Sequence, residues 1–250
     1  MANLLRTSNP ALNEKAFQTA GVGTGEAMTL NGTVNKTGFL LILVVATAAW
    51  TWHLYLNSGN PEMAMGLAMV GLIGGFIAAM VTIFKKTWAG VTAPIYALLE
   101  GLALGGISAA FESKYHGIAI QAVGLTFGTM FVLLLAYRSG LIPVTQNFRL
   151  GVIAATGGIA VFYLVSIVLG FFGVHFTSLF GGGPVGIAFS VIVVIVAALN
   201  LVLDFDFVET GVRMGAPKYM EWYGAFGLMV TLIWLYLEIL RLLSKIRDRN

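Results

Sequence analysis

Acidic residues inside long apolar stretches are the feature of this sequence that could do chemistry. The stretch at 191–209 ends with Asp204, Asp206 and Glu209, and a later stretch carries Glu238. An isolated charge in a lipid-buried helix costs about 2.5–3.5 kcal/mol on insertion scales, so such residues usually have a function. Two carboxylates in contact at low dielectric cannot both ionise cheaply, and such a pair can hold one shared proton. The sequence therefore predicts a pH-sensitive contact between Asp204 and Glu238.

The three acids at the end of the first stretch do not share one helix face. Asn200 lies four residues before Asp204, so its amide can orient that carboxylate inside a helix bundle. Asp206 lies about 200° round the helix from Asp204 and is expected at the membrane interface, as is Glu209. Asp206 remains the alternative to Asp204 as the functional aspartate.

Two further charged residues bear on the chemistry. Glu100 interrupts a different apolar stretch near its midpoint, which makes it a candidate cation ligand or proton carrier. A hydrogen-bonded structural carboxyl is the alternative for Glu100. Arg241 follows Glu238 by three residues, so a local ion pair is the alternative role of Glu238. The candidate ligands for a metal ion are therefore Glu100, Asp204 and Glu238.

Composition places these residues in a membrane protein. Of the 250 residues, 58% are hydrophobic and 10% are charged, whereas soluble domains carry about 25% charged residues. Seven apolar stretches each approach the roughly 20 residues needed to cross the hydrocarbon. They lie at about 38–56, 64–84, 91–111, 117–137, 150–173, 185–208 and 222–243. Because open strand edges cannot be satisfied in lipid, the predicted fold is an all-α polytopic membrane protein with seven transmembrane helices in one bundle.

The same pattern predicts the organisation of the chain. Residues 1–37 are polar and are predicted to be a flexible tail, 38–243 to be the transmembrane domain, and 244–250 to be a basic tail. Small residues along the second and third stretches predict that their helices approach closely. These small residues are Gly71, Gly75, Ala97, Gly101, Gly105 and Ser108.

Loop charges predict the orientation of the bundle. Nine Lys or Arg residues precede the first stretch or lie in the loops on its side, whereas only Lys114 lies in the other loops. The positive-inside rule then places the amino terminus in the cytoplasm, with a bacterial inner membrane as the expected location. The basic residues at 241–249 oppose this pattern if the seventh stretch crosses fully. Full crossing is expected, and a re-entrant seventh segment is the alternative. The nine residues are Arg6, Lys15, Lys36, Lys85, Lys86, Arg138, Arg149, Arg213 and Lys218.

Several classes of function find no support in the sequence. The chain has no cysteine, which excludes disulfides and thiolate metal sites. The motifs HExxH and GxSxG are absent, and the glycines at 181–183 lack the Lys-Ser/Thr of a phosphate loop. We therefore expect no enzyme activity and no cofactor, and an anionic membrane surface is a better partner for the basic loops than nucleic acid. An intramembrane aspartyl protease built on Asp204 and a second acid is the enzymatic alternative.

The order of the motifs resembles the Bax inhibitor-1 (transmembrane Bax inhibitor motif) family, in a bacterial branch. The resemblance rests on DFDFV at the end of the sixth stretch and YLEILRLL in the seventh, and it covers about 38–243. It implies seven helices with the last one central, a pH-sensing pair of acids at Asp204 and Glu238, and a calcium leak. It also implies a basic group near the second and third helices, where Lys85 and Lys86 lie.

The expected function is a pH-sensitive calcium-leak channel, gated by protonation of Asp204 and Glu238, with Ca2+ and H+ as permeant ions. Carboxylate oxygens are ligands that suit Ca2+. Two alternatives remain: a non-conducting adaptor that regulates a membrane protease or a stress response through a membrane-protein partner, and a proton-coupled secondary transporter. We expect Asp204→Asn or Glu238→Gln to change the pH dependence of Ca2+ flux, and Asp206→Asn to leave it nearly unchanged.

Overall fold

Seven long helices form most of the chain in the computed structural model, which describes residues 26–173 and 176–249. The helices are α1 (Leu30–Leu56), α2 (Pro61–Phe84), α3 (Ala89–Lys114), α4 (Ile118–Arg138), α5 (Gln146–Phe171), α6 (Pro184–Arg213) and α7 (Met220–Arg249). A 3₁₀ turn (Lys86–Trp88) precedes α3, and a four-residue helix (Thr177–Phe180) precedes α6. All seven long helices are long and apolar enough to cross a membrane, so the predicted fold is confirmed.

Both predicted tails are partly helical. α1 begins at Leu30 because Thr29 caps it, its side chain accepting a hydrogen bond from the backbone N–H of Gly32. α7 continues to Arg249, so most of the predicted basic tail belongs to the last helix. The earlier part of the predicted amino-terminal tail lies outside the described residues. The first and last helices therefore extend beyond positions 37 and 244, since hydropathy marks the depth of the hydrocarbon and not the ends of the helices.

α7 is the central helix, as the resemblance implied. It packs against α1, α3, α4 and α6, and 67% of its most apolar segment is buried, the largest share among the seven helices. α5 is at the other extreme, because only 6% of its apolar segment is buried and it packs mainly against α6. Such sparse packing makes α5 depend strongly on its polar contacts with α6 and α7.

Glycines let α1, α2 and α3 approach closely, as their spacing predicted. A Cβ at Gly71 would overlap the backbone of α3, and a Cβ at Gly105 would overlap the backbone of α1 at Ala48. Lipid gives helices no hydrophobic drive to associate, so close backbone packing is a main source of their attraction. Of these helices, α1 and α3 pack against α7, and the rings of Tyr96 on α3 and Phe226 on α7 meet edge-on with centroids 5.1 Å apart.

The chain crosses from one end of the bundle to the other seven times. At the near end, defined here as the end where α1 begins, Met28 donates its backbone N–H to the Ala216 carbonyl in the α6–α7 turn over 2.7 Å. At the opposite, far end, Lys114 of α3 and Asp248 of α7 form an ion pair at 3.0 Å. α7 therefore runs the length of the bundle as one unbroken helix, and full crossing of the membrane stays a prediction.

Candidate functional site

Asp204 lies deep inside the bundle. It is fully buried, and Asn200, one turn away on α6, is 2% exposed. The amide of Asn200 donates a hydrogen bond to the hydroxyl of Thr156 on α5 over 2.7 Å. One turn in the other direction, the side chain of Val208 lies against Gly224 of α7. The face of α6 that carries Asp204 therefore lies between α5 and α7.

Asp206 is not the interfacial residue that the sequence led us to expect. Its carboxylate forms an ion pair with Arg149 in the first turn of α5 at 2.5 Å, and the two side chains are only 13% and 15% exposed. Arg149, which belongs to α5, thus covers most of the Asp206 carboxylate. Glu209 is exposed as expected, and it accepts a hydrogen bond from the Tyr137 hydroxyl. Because of this ion pair we now expect Asp206→Asn to have an effect, contrary to the expectation from the sequence.

Glu238 lies below the surface in the far half of α7. Tyr163 of α5 donates its hydroxyl to Glu238 over 3.1 Å, and Arg241 donates to both carboxylate oxygens at 3.1 and 3.2 Å. Arg241 also donates to the Tyr163 hydroxyl over 2.8 Å. The side chain of Glu238 is 3% exposed and that of Arg241 is 40% exposed. The local ion pair named as the alternative is present, and it belongs to a cluster shared with α5.

The structure does not bring Asp204 and Glu238 into contact. α6 and α7 are antiparallel and joined by a short turn, so residues at equal distances from the turn face each other. At the far end, Gly186 of α6 faces Lys245 of α7, whose ammonium donates to the Gly186 carbonyl over 3.1 Å. In this register Glu238 lies level with position 193, roughly 16 Å along the axis from Asp204. The predicted contact is therefore not formed, and the two acids occupy separate polar sites.

The α5 partners of these groups form a stripe that the sequence analysis missed. Arg149, Thr156 and Tyr163 are spaced seven residues apart, so they lie along one face of α5. They contact, in order, the carboxylate of Asp206, the amide of Asn200 and the carboxylate of Glu238. These contacts hold α5 against α6 and α7 where apolar packing is sparse. The sequence did contain a signal for this stripe, namely polar residues that recur every seven positions in the fifth apolar stretch.

A cavity of about 960 Å³ lies at the near end, between α1, α4, α6 and α7. We call it the near vestibule. Its wall includes four charged residues, Asp206, Glu209, Arg138 and Arg213. Gly140 and residues 142–144 of the loop between α4 and α5 also line it. The ion pair of Asp206 therefore connects the wall of the vestibule to the first turn of α5.

Glu221 is a buried acid that the sequence analysis did not select. It is fully buried at the start of α7 and accepts hydrogen bonds from the backbone N–H and the hydroxyl of Thr29, both at 2.8 Å. It also forms ion pairs with Lys36 of α1 and with Lys218, the latter at 3.2 Å. The cluster ties the beginning of α1 to the beginning of α7. Its sequence signal was weak, because an acid beside a polar turn is usually solvated.

Comparison with known proteins agrees with this architecture. A family model described as Bax inhibitor 1 like matches residues 9–248, which is nearly the whole chain. The chain belongs to the Bax inhibitor 1 like family. No curated protein and no solved structure matches it significantly. The resemblance carried by the motifs of α6 and α7 is thereby confirmed.

Glu100 of this Bax inhibitor 1 like protein lies apart from the α5 stripe. It is half-buried on α3 and faces Gly75 of α2, where a Cβ would come within 2.8 Å of its Oε2. Within residues 26–173 and 176–249, no group of three or more His, Asp or Glu residues is arranged to hold a metal ion. The candidate ligands Glu100, Asp204 and Glu238 thus do not form one metal site there.

Lys85 and Lys86 lie in the α2–α3 turn at the near end, as the resemblance implied. The ammonium of Lys85 lies 4.4 Å from the ring centroid of Trp88, and that of Lys86 lies 5.8 Å from the ring centroid of Tyr223. Such cation–π contacts stabilise charges at a membrane interface. The basic pair therefore packs on aromatic residues at the near end.

Proposed function

We propose that this protein conducts Ca2+ passively across the membrane through the near vestibule, in a pH-sensitive manner, with H+ as a second permeant ion. Family membership and seven membrane-crossing helices support a transport role. The observation that carries the proposal is the vestibule, whose wall places Asp206 and Glu209 beside about 960 Å³ of open space. Carboxylates at a pore mouth attract cations, and their oxygens suit Ca2+.

The ion pair between Arg149 and Asp206 is the first part of the proposed pH response. It fixes the first turn of α5, and the loop before that turn lines the vestibule. Arg213 and Glu209 are the other charged groups that act on Asp206. The pair needs an ionised carboxylate, so protonation of Asp206 removes its electrostatic attraction to Arg149. The leak is therefore expected to rise as the pH falls.

Asp204 and Glu238 act in this proposal as two separate buried acids. Protonating Glu238 removes its ion pair with Arg241 and loosens the cluster that holds Tyr163 on α5. Asp204 lies one turn from Asn200, which bonds the middle of α5. Each acid thus affects the attachment of α5 at a different depth. Gating by these acids then requires no direct contact between them.

We also propose that the near end faces the cytoplasm of a bacterial inner membrane. The positive-inside rule favours the cytoplasm for the near end, because seven of the described Lys and Arg residues lie at that end. At the far end, basic side chains are engaged by the bundle: Lys245 donates to the carbonyls of Leu179 and Gly186, and Arg247 donates to the carbonyl of His116. The seven near-end residues are Lys36, Lys85, Lys86, Arg138, Arg149, Arg213 and Lys218.

Ca2+ entry into proteoliposomes that contain a fluorescent indicator tests the proposal. The chain has no cysteine, so Val34→Cys places a single thiol on the vestibule wall. We expect passive entry above that of protein-free vesicles, and block by a bulky thiol reagent in this variant but not in wild type. Ile42→Cys is the matched control, because Ile42 is 68% exposed on the same helix and lines no part of the vestibule.

The outcomes of this assay separate the rival functions. Ca2+ entry no faster than in protein-free vesicles would contradict conduction and favour the non-conducting adaptor. Saturable uptake of an organic solute driven by a proton gradient, without a Ca2+ leak, would favour the secondary transporter. Equal block of the Val34→Cys and Ile42→Cys variants would place the path elsewhere than the vestibule.

A further inference from the structure

The wall of the near vestibule is charged at its rim and apolar deeper in the membrane. Arg138 and Arg213 end α4 and α6 at the near end, and both line the vestibule. Leu41 of α1, Met130 of α4 and Leu232 of α7 line its deeper part. At 1.5 Å per residue, these three positions lie about 12–18 Å along their helices from the near end. The vestibule therefore has the polarity of one bilayer leaflet, with a charged end and an apolar depth.

The deeper part of the vestibule continues into a groove on the lipid-facing surface of the bundle. This lipid-facing groove has a volume of about 420 Å³ and runs between α1 and α4. Leu41 and Leu232 line both the groove and the vestibule. Val45 and Ile120 on the sides of the groove are 59% and 72% exposed, so acyl chains of the bilayer contact them. A lipid can therefore reach the vestibule from the side while its acyl chains stay in the hydrocarbon.

The rim of the vestibule carries an excess of positive charge. In the part of the chain that the structure describes, neither Arg138 nor Arg213 forms an ion pair. Of the two acids on the wall, Asp206 is engaged by Arg149, which leaves only Glu209 to balance these two arginines. Two cations against one acid give the rim a net charge of +1. The rim is therefore suited to an anionic group.

We propose that the near vestibule and the lipid-facing groove bind an anionic phospholipid of the near leaflet. Its phosphate binds Arg138 and Arg213, and one of its acyl chains lies against Leu41 and Leu232. The planar guanidinium group matches the geometry of phosphate and forms strong, charge-assisted hydrogen bonds with it. Basic pockets between transmembrane helices bind anionic head groups on the cytoplasmic side of membranes, which is the side proposed for the near end.

The depth of the apolar wall fits a lipid from one leaflet. The hydrocarbon is about 30 Å thick, so each leaflet contributes about 15 Å. Leu41 and Leu232 lie about 16–18 Å from the near end of their helices. An acyl chain whose phosphate is held at the rim therefore ends beside these leucines or in the first part of the groove.

This site is separate from Ca2+ conduction. It rests on the charge and the shape of the vestibule and not on the proposed function, and its occupancy is measured without flux. A bound lipid fills part of the vestibule and so narrows the Ca2+ path proposed above. Anionic phospholipid is therefore expected to lower the leak.

Native mass spectrometry of the full chain in detergent tests the site, with phosphatidylglycerol and phosphatidylcholine as the anionic and the uncharged probes. Wild type should retain phosphatidylglycerol and bind phosphatidylcholine more weakly. The double variant Arg138→Gln with Arg213→Gln should bind phosphatidylglycerol about tenfold more weakly, because charge-assisted hydrogen bonds to the phosphate are lost. Lys85→Gln with Lys86→Gln is the matched control, because it removes the same charge at the same end and neither lysine lines the vestibule.

A photoreactive acyl chain locates the lipid in the wild-type protein. Phosphatidylglycerol with a diazirine in its acyl chain should label the segment of α7 that contains Leu228 and Leu232, which are only 8% and 3% exposed but line the vestibule. Val161 and Ile167 of α5 are each 63% exposed and report ordinary contact with the bilayer. A twofold excess of unlabelled phosphatidylglycerol should reduce labelling of the α7 segment more than labelling of α5.

The outcomes separate the lipid site from the leak. Equal retention of the two lipids by wild type, or equal weakening in the two double variants, would refute the site. If the arginine variant does not fold, the labelling of wild type decides: labels on α5 with none on the α7 segment would mean ordinary lipid contact only and refute the site. Selective retention without any Ca2+ leak would support the lipid site and refute the proposed function, and a leak without selective retention would do the reverse.

Discussion

Replacing Asp206 by Asn is expected to open the leak near neutral pH. The substitution leaves the Arg149 guanidinium without its charged partner in a site where that side chain is only 15% exposed. A hydrogen bond to a charged group contributes about 1.5–3 kcal/mol, whereas interhelical bonds such as that between Asn200 and Thr156 average about 0.6 kcal/mol in membranes. The ion pair is thus the strongest attachment of α5 near the vestibule. Because about 1.4 kcal/mol is a factor of ten, its loss should raise the displaced population of α5 roughly ten- to a hundredfold.

Ca2+ entry into proteoliposomes measures this effect. Asp206→Asn should leak about tenfold or more above wild type at neutral pH, and its leak should depend less on pH because a titrating group is gone. Exchanging the charges, Arg149→Asp with Asp206→Arg, re-forms the pair and should restore a low leak. Glu62→Gln is the control, because Glu62 is an exposed acid at the start of α2 and lines no part of the vestibule. An Asp206→Asn variant with a wild-type leak and a wild-type pH response would refute the reasoning.

The remaining predictions concern the far half of α7, the helix packing and the topology. Glu238→Gln keeps an acceptor for Tyr163 but loses a charge, so the flux assay should show a smaller change in pH response than for Asp206→Asn. Gly105→Leu forces a side chain into the backbone of α1 and should destabilise the bundle by roughly 2 kcal/mol or more, seen as a lower unfolding temperature in detergent. A reporter active only in the cytoplasm should be active at residue 1 and inactive after Asn250, and activity at both positions would contradict full crossing.

The sequence predicts most of this fold because hydropathy and length decide which segments cross lipid. The stretch predicted at 150–173 corresponds to α5 (Gln146–Phe171), and small residues such as Gly105 correctly indicate close packing with α1. Helix ends are less predictable. The start of α1 depends on a cap at Thr29 and on the cluster around Glu221, which joins positions far apart in the chain.

The candidate site is less accessible to sequence reasoning. Burial of Asp204 follows from its place on a helix face, and the ion pair of Glu238 with Arg241 follows from their spacing. The environment of Asp206 does not follow, because it depends on which neighbouring helix covers its face of α6. The expected contact between Asp204 and Glu238 also required the register of two antiparallel helices, which is set by the turn between them and not by the motifs.

The pH dependence of the wild-type Ca2+ leak tests the central claim most directly. In proteoliposomes with equal pH on both sides, the leak should exceed that of protein-free vesicles and should rise as the pH is lowered from about 8 to about 5.5. This direction follows because the ion pair between Asp206 and Arg149 requires a charged carboxylate. A leak that falls with decreasing pH, or Ca2+ entry equal to that of empty vesicles throughout the series, would contradict the account.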